Sequence, residues 1–464
     1  MINPKYLASA LSVILGVWIS QMSPPPGLDA KTMCALGITA WAVGWWVTEI
    51  IPEYVTGLLM CILWAACKCV PFGTAFYSFS TSGWWITIGA FALGGIAGKT
   101  GLLKRIALWV LKLFPASFTG QVWGLIGAGM IISPLIPSMN AKATLSTPIA
   151  LSISDELGMA RKSPGANGLF GACYVGFIIM GHMFMSGSFG HYVLVGMLPE
   201  GYKTVTWLEW LLWALPWGIV TMCGLGLFIV FAYKPKEKIT LPKGYSDEQL
   251  AKLGPMSKNE RICLWVLSGT LVLWMTESLH RISAGEVAVA AMCVLLMLKV
   301  MDRNDFKNGV EWPAVVFVGT VLNVAAVIQA LKVDKWLGTE FKALFGNVAG
   351  EPTLLIITMI LAVCVVKFII LSLVSASTMF VLVLPPIMLN FGIHPWIACI
   401  VPFAAGNIWY LSYMNPIYLC AHFSTRGEMA NHSSMVKLCA AYTVLCIVGF
   451  IASIPYWRML GLLE

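Results

Sequence analysis

Two short polar stretches interrupt long apolar runs and hold the residues best suited to chemistry. The first is Pro134-Leu-Ile-Pro137-Ser138-Met139-Asn140-Ala141-Lys142, the second Ser372-Leu-Val-Ser375-Ala376-Ser377-Thr378. Short hydroxyls and amides beside the unpaired N–H groups of a helix end suit the oxygens of carboxylate, sulfonate or phosphate. Capping and helix–helix hydrogen bonding would explain either stretch alone; two matching stretches favour a ligand. Lys142 sharpens this, because a cation near the bilayer centre costs roughly 2.5–3.5 kcal/mol and needs a partner. A bound anion would supply one, as would a distant glutamate or snorkelling towards the surface.

An interrupted apolar run follows each stretch. Met183-Phe-Met-Ser186-Gly187-Ser188-Phe-Gly190-His191 breaks the first with two glycines, and Ser412-Tyr-Met-Asn415-Pro416 breaks the second with a proline. His191 corresponds to Asn415 when the two are overlaid. Most membrane histidines are helix contacts, but this pairing makes His191 a binding or proton-coupling candidate. Glu49, Glu53 and Glu286 lie near span ends, where structural roles suffice.

The elements that must position these residues follow from composition. Hydrophobic residues make up 59% of 464 positions and charged ones 11%, against about 25% charged in a soluble domain, so lipid is the solvent for most of the chain. The pattern predicts an all-α polytopic membrane protein with about eleven crossings of ~20 residues and two re-entrant hairpins, 120–155 and 353–390, each turning at a polar stretch. Residues 6–22 read as a retained first helix. The 13 cysteines are scattered in apolar surroundings, with no zinc or redox spacing. No cofactor is expected. The net charge of +8 reads as topology, not nucleic-acid binding: most lysines and arginines fall on segments that are cytoplasmic if the N-terminus is inside. No His-Glu-x-x-His, aspartyl pair or Gly-x-Ser-x-Gly supports an enzyme.

The chain also repeats itself. Trp46-Val-Thr-Glu49 recurs as Trp274-Met-Thr-Glu277, and the same offset relates Trp84 to Trp312 and Leu103-Lys104 to Leu331-Lys332. Ser138 to Pro148 and Ser375 to Pro385 then share one spacing. An odd number of crossings separates the copies, which predicts an inverted-topology repeat, the hallmark of secondary transporters with a midplane site.

Trp45-Trp46-Val-Thr48-Glu49-Ile-Ile51-Pro52 and Gly101-Leu-Leu-Lys-Arg105-Ile-Ala107 resemble signatures of the divalent anion/sodium symporter (DASS) family, over nearly the whole chain. Ser138-Met-Asn-Ala-Lys142, Ser375-Ala-Ser-Thr-Met379 and Met183-Phe184-Met185-Ser186 are closest to its citrate/succinate antiporter and dicarboxylate translocator branch. Lys142 replaces that branch's Arg, Met379 its His and His191 its Asn. The resemblance implies a homodimeric inner-membrane elevator transporter of a small organic anion, a di- or tricarboxylate or related sulfonate. Substrate contacts are expected from Ser138, Asn140, Lys142, Ser186, His191, Ser375, Ser377, Thr378 and Asn415. Sodium-coupled relatives surround Na⁺ with tip oxygens; Met139 and Ala376 offer none, so Na⁺-independent exchange against a counter-anion is expected. A Na⁺- or H⁺-coupled symporter is the alternative.

By the same resemblance, 1–72 and 262–311 form a scaffold. Residues 73–232 and 312–437 form a transport domain, 233–261 a cytoplasmic linker and 438–464 a C-terminal helix.

Overall fold

Backbone N–H and C=O groups in lipid are satisfied within helices or closed barrels, and here the solution is helical. The computed structural model describes residues 4–48, 50–235, 244–333, 336 and 350–464, and among them no strand forms; Ile393 and Leu463 make an isolated bridge. Glu49 and the linker's Lys236, Lys238 and Lys243 lie outside the described residues.

The principal helices are α1 (Pro4–Gln21), α2 (Ala30–Thr48), α3 (Glu53–Ala66), α4 (Ser82–Lys99), α5 (Leu102–Lys112) and α6 (Phe118–Ile132). Next come α7 (Met139–Glu156), α8 (Pro164–Tyr174), α9 (Phe189–Gly196), α10 (Trp207–Ala232), α11 (Lys258–Met275) and α12 (Ala284–Met297). The last six are α13 (Trp312–Ala330), α14 (Pro352–Val366), α15 (Leu373–Leu389), α16 (Ile397–Ala405), α17 (Pro416–Ser424) and α18 (His432–Met459). By length and composition five described stretches can each cross a membrane: Phe118–Leu135, Pro164–Met183, Trp207–Ala232, Trp312–Ala330 and His432–Met459. The α4–α5 pair adds a sixth if counted as one span, bent by 69° at Gly101, whose φ of +81° suits glycine.

Both polar stretches are non-helical connections. After α6 the chain makes one 3₁₀ turn, Ser133–Leu135, and α7 begins behind Ser138; α14 ends at Val366 and α15 begins behind Ser372. The interrupted runs are also broken. Past α8 come a π turn (Val175–Ile179), two 3₁₀ turns and an extended Ser188 before α9, and a 3₁₀ turn (Ser412–Met414) precedes α17.

Packing joins α1 to α2, α13 to α3, α4 to α12, α10 to α18, and α7 to both α8 and α17. The repeated tryptophans act alike: Trp46 Nε1 donates to Glu53 O and Trp274 Nε1 to Ala284 O, each at 3.1 Å, tying a helix end to the start of the next. Outside the apolar spans, Arg105 Nε donates to Glu260 Oε1 at 2.9 Å, and both side chains are buried, clamping α5 to the first turn of α11.

Small residues set the closest crossings, as in other membrane interiors. A Cβ on Gly129 of α6 would overlap the backbone at Gly176, and one on Gly176 would overlap that of Leu125 and Ile126. The π turn is thereby pressed backbone to backbone onto α6. Gly129→Ala is expected to lower the detergent-solubilised melting temperature, at a cost of about 1–3 kcal/mol for overpacking. Gly73→Ala, with nothing within 4 Å of the added Cβ, is the control and leaves it unchanged.

Candidate functional site

The tips and breaks meet at one cavity of about 670 Å³. Ser138, Met139 and Asn140 line it from the first tip, Ser372, Leu373 and Val374 from the second. Ser188 and Phe189 come from the first break, Asn415, Pro416 and Ile417 from the second, and Phe403 from α16. The remaining wall is Ile50–Tyr54 with Glu311, Pro313 and Ala314, where α3 and α13 begin.

Ser138, Ser188, Ser372 and Asn415 are all helix N-caps. Ser138 Oγ accepts from Ala141 N at 3.2 Å, Ser188 Oγ from Gly190 N at 3.2 Å and Ser372 Oγ from Ser375 N at 3.3 Å. Asn415 Oδ1 accepts from Ile417 N at 3.0 Å and Tyr418 N at 3.1 Å. Each cap satisfies part of its helix end and leaves that end's partial positive charge facing the cavity. The starts of α3 and α13 differ, since Glu53 and Glu311 offset their dipoles. Ser138 Oγ donates to Glu311 Oε1 at 3.0 Å, bridging tip and wall. No Lys, Arg or His is among the described residues lining this cavity.

Behind Asn415 runs a buried polar chain joining the two breaks. Asn415 Nδ2 donates to Asn407 Oδ1 at 2.6 Å, and Asn407 Nδ2 meets His182 Nε2 at 3.1 Å. His182 Nδ1 meets His191 Nε2 at 3.2 Å, and His191 Nδ1 meets Met185 O at 3.2 Å. A carbonyl only accepts, so His191 carries its proton on Nδ1 and its Nε2 accepts. His182 must then donate from Nδ1 and accept at Nε2 from the Asn407 amide. Both imidazoles are neutral in this arrangement, and each link of the chain pairs one donor with one acceptor.

Of the residues proposed from sequence, Ser138, Asn140 and Asn415 line the cavity, and His191 reaches it only through the chain. Ser186 lies off it, donating to Pro134 O at 2.7 Å and accepting from Trp207 Nε1 at 2.9 Å. Lys142 is fully buried, and its Nζ donates to Gly187 O at 2.7 Å. In the second tip the cavity residue is Ser372, one turn earlier than expected. Ser375 and Thr378 face a narrow crevice against Val43, Trp46 and Val47 of α2. Ser377 is buried, with no hydrogen-bond partner for its Oγ among the described residues. Sequence reasoning missed Ser188, Ser372 and Glu311 as cavity residues, and His182 and Asn407 in the chain. The N-cap preference for serine was the available signal for Ser188 and Ser372. The chain partners carry no local signal, because they meet only through the fold.

Asn407→Asp tests the deduced proton positions. It keeps an acceptor for Asn415 but turns an oxygen towards the His182 lone pair, a repulsion that one added proton relieves. The variant is expected to melt below the native protein at about pH 8. The gap narrows towards about pH 5, since a histidine stabilised as a cation contributes below its folded pKa and loses that contribution as pH rises.

Comparison with known proteins places this geometry in a family. Residues 4–463 match the model of the sodium:sulfate symporter transmembrane region. A membrane protein of Cupriavidus necator is 25% identical over 375 residues, 76% of this chain and 72% of that one. Chloroplastic dicarboxylate transporter 1 of Spinacia oleracea is 24% identical over 345 residues, 72% of this chain and 60% of its own. The L-tartrate/succinate antiporter of Shigella flexneri is 24% identical over 322 residues, covering 67% and 64%. The Alcanivorax borkumensis YdaH transporter structure covers 99% of this chain and 98% of its own, with a TM-score of 0.59 at 12% identity, and so shares the fold. These relatives and this fold are those of membrane transporters, not enzymes. The chain is a multi-pass membrane protein and belongs to the sodium:sulfate symporter family, the divalent anion/sodium symporters.

Proposed function

We propose that this protein exchanges small dicarboxylates across the bacterial inner membrane, without Na⁺, through the cavity between the two tips. The convergence of four capped helix N-termini on that cavity carries the reading. Each contributes roughly +0.5 charge, together about two, which matches one dicarboxylate dianion. Ser138, Asn140, Ser188, Ser372 and Asn415 are its polar contacts. Lys142 acts from behind the tip and the chain through His191 holds Asn415; Ser186, Ser375, Ser377 and Thr378 support the tips. The relatives named for dicarboxylates and for tartrate/succinate antiport agree with this assignment.

In the proposed topology the N-terminus is cytoplasmic, about eleven helices cross, and the hairpins are re-entrant within an inverted repeat. The cavity, bordered by the starts of α3 and α13, then opens to the cytoplasm. A second cavity of about 370 Å³ lies further along α9 and α13, lined by Tyr192 and Leu322, where the outward path would open. An elevator movement of the tips and breaks against the wall, within a homodimer, would alternate the two. The α3–α13 and α4–α12 packing supports counting α4 and α13 with the static part. The Ser138–Glu311 bond supports exchange: without substrate it ties tip to wall, and a substrate carboxylate would both take the Ser138 hydroxyl and repel Glu311.

Uptake of labelled succinate into proteoliposomes tests the reading. Expected is uptake that requires unlabelled succinate inside and ignores external Na⁺. Na⁺-dependent uptake into empty vesicles would replace exchange by symport. Ser138→Ala is expected to weaken succinate binding by less than about tenfold, because the Glu311 bond lost in the free protein offsets the hydrogen bond lost to the substrate.

A further inference from the structure

Three cysteines come together at one end of the α2–α3 pair. Asp29 Oδ1 accepts from Thr32 N at 2.8 Å and caps α2, and Cys34 lies one turn inside that helix. At the other side α3 ends at Cys67, where Lys68 takes a φ of +56° and Cys69 N returns to Trp64 O at 2.9 Å. Trp64 Nε1 donates in turn to Ala35 O at 3.2 Å, which pins the end of α3 beside Cys34. The Cys34 side chain meets those of both Cys67 and Cys69. All three are free thiols; Cys67 is exposed, Cys34 half-buried and Cys69 buried. The spacing of Cys67 and Cys69 alone is no redox motif, and the fold supplies the third thiol. Among the described residues no three histidine, cysteine or acidic side chains are placed to hold a metal ion, so the cluster acts through pairwise contacts centred on Cys34. In the topology proposed above, α1 leaves the cytoplasm, and the start of α2 and the end of α3 face the outer side, where disulfides form and persist.

We propose that this cluster is a thiol–disulfide exchange site, which accepts a disulfide-donating oxidant and closes a bridge from Cys34 that staples α2 to α3; its oxidation in the cell rests on the proposed topology. Exposed Cys67 is the entry. Its thiolate attacks the donor disulfide, forms a mixed disulfide and releases one donor thiol. Cys34 then attacks the Cys67 sulfur and releases the second donor thiol, so two protein thiols lose two electrons and their protons end on the reduced donor. Cys69, in contact with Cys34, attacks the Cys34 sulfur and takes over the bridge. That step frees Cys67 and leaves a Cys34–Cys69 disulfide out of reach of external thiols.

The test incubates the full chain in detergent with oxidised glutathione, alkylates the remaining thiols and maps the peptides by mass spectrometry. Expected for the native protein is a Cys34–Cys69 bridge with Cys67 alkylated, and a melting temperature above that of the reduced protein, because the bridge closes a loop in the unfolded chain. Cys69→Ser should yield a Cys34–Cys67 bridge, Cys34→Ser neither bridge, and Cys67→Ser the native bridge formed more slowly. Alkylation of all three native cysteines would overturn the proposal, and an unchanged rate in Cys67→Ser would overturn its entry step. Location is read separately, from spheroplasts treated with an impermeant phosphine and then an impermeant maleimide. The native protein should take up more label than Cys67→Ser; equal labelling would overturn the outward placement and with it oxidation in the cell, whatever the chemistry in detergent.

Discussion

Everything in this molecule depends on ending helices where there is no water to receive them. Four N-termini stop short inside the protein, and their backbone N–H groups must be met by something. An unmet buried donor costs about 1–3 kcal/mol, so leaving several open around one space commits that space to oxygen acceptors. Serine and asparagine caps answer part of the demand, and in the proposed function a ligand carboxylate answers the rest. The glycines of the π turn and of α6 belong to the same constraint, since they let backbone approach backbone closely enough to hold a broken crossing in place.

The polar chain from Asn415 to Met185 fixes the second break relative to the first. Its direction is dictated by one carbonyl at the end, and the inference runs inward residue by residue until both histidines and both asparagines have a single orientation. Asn415 therefore presents its cap to the cavity from a rigid mount. A proton on either histidine would turn an acceptor into a donor facing another donor, so the chain works as a strut in its neutral form and opposes proton storage at His191.

How much was legible in the sequence differs by scale. Apolar run length and interruption located both connections and both breaks, because clustered proline, glycine and short polar side chains break a helix, and non-helical backbone at membrane depth needs protein or water around it. Ser138, Asn140 and Asn415, picked out by type and position, line the cavity. In the second tip Ser372 lines it while Ser375, named from the sequence, faces the crevice against α2; the two are one turn apart, and only the direction of α15 decides which faces the cavity. Lys142 was noticed for its cost, but whether its side chain points forward or backward from the tip depends on packing against α4 and α5. Glu311 carries no local signal in the sequence, and it gains meaning only from Ser138, far away in the chain.

That acid also explains why a site for anions is bordered by carboxylates. The starts of α3 and α13 would add their own positive ends to the cavity, and with four others the field would hold a dianion too tightly to release it. Glu53 and Glu311 more than offset those two ends of roughly +0.5 each, which weakens the hold on the proposed cargo. Glu311 goes further, because it already holds the Ser138 hydroxyl that an incoming carboxylate needs. On the proposed reading, binding replaces an internal carboxylate by an external one, so its net free energy is the difference between two similar interactions and stays modest. A carrier needs that: an affinity sufficient to select, and a bond to its own wall strong enough that departure of the substrate is not uphill.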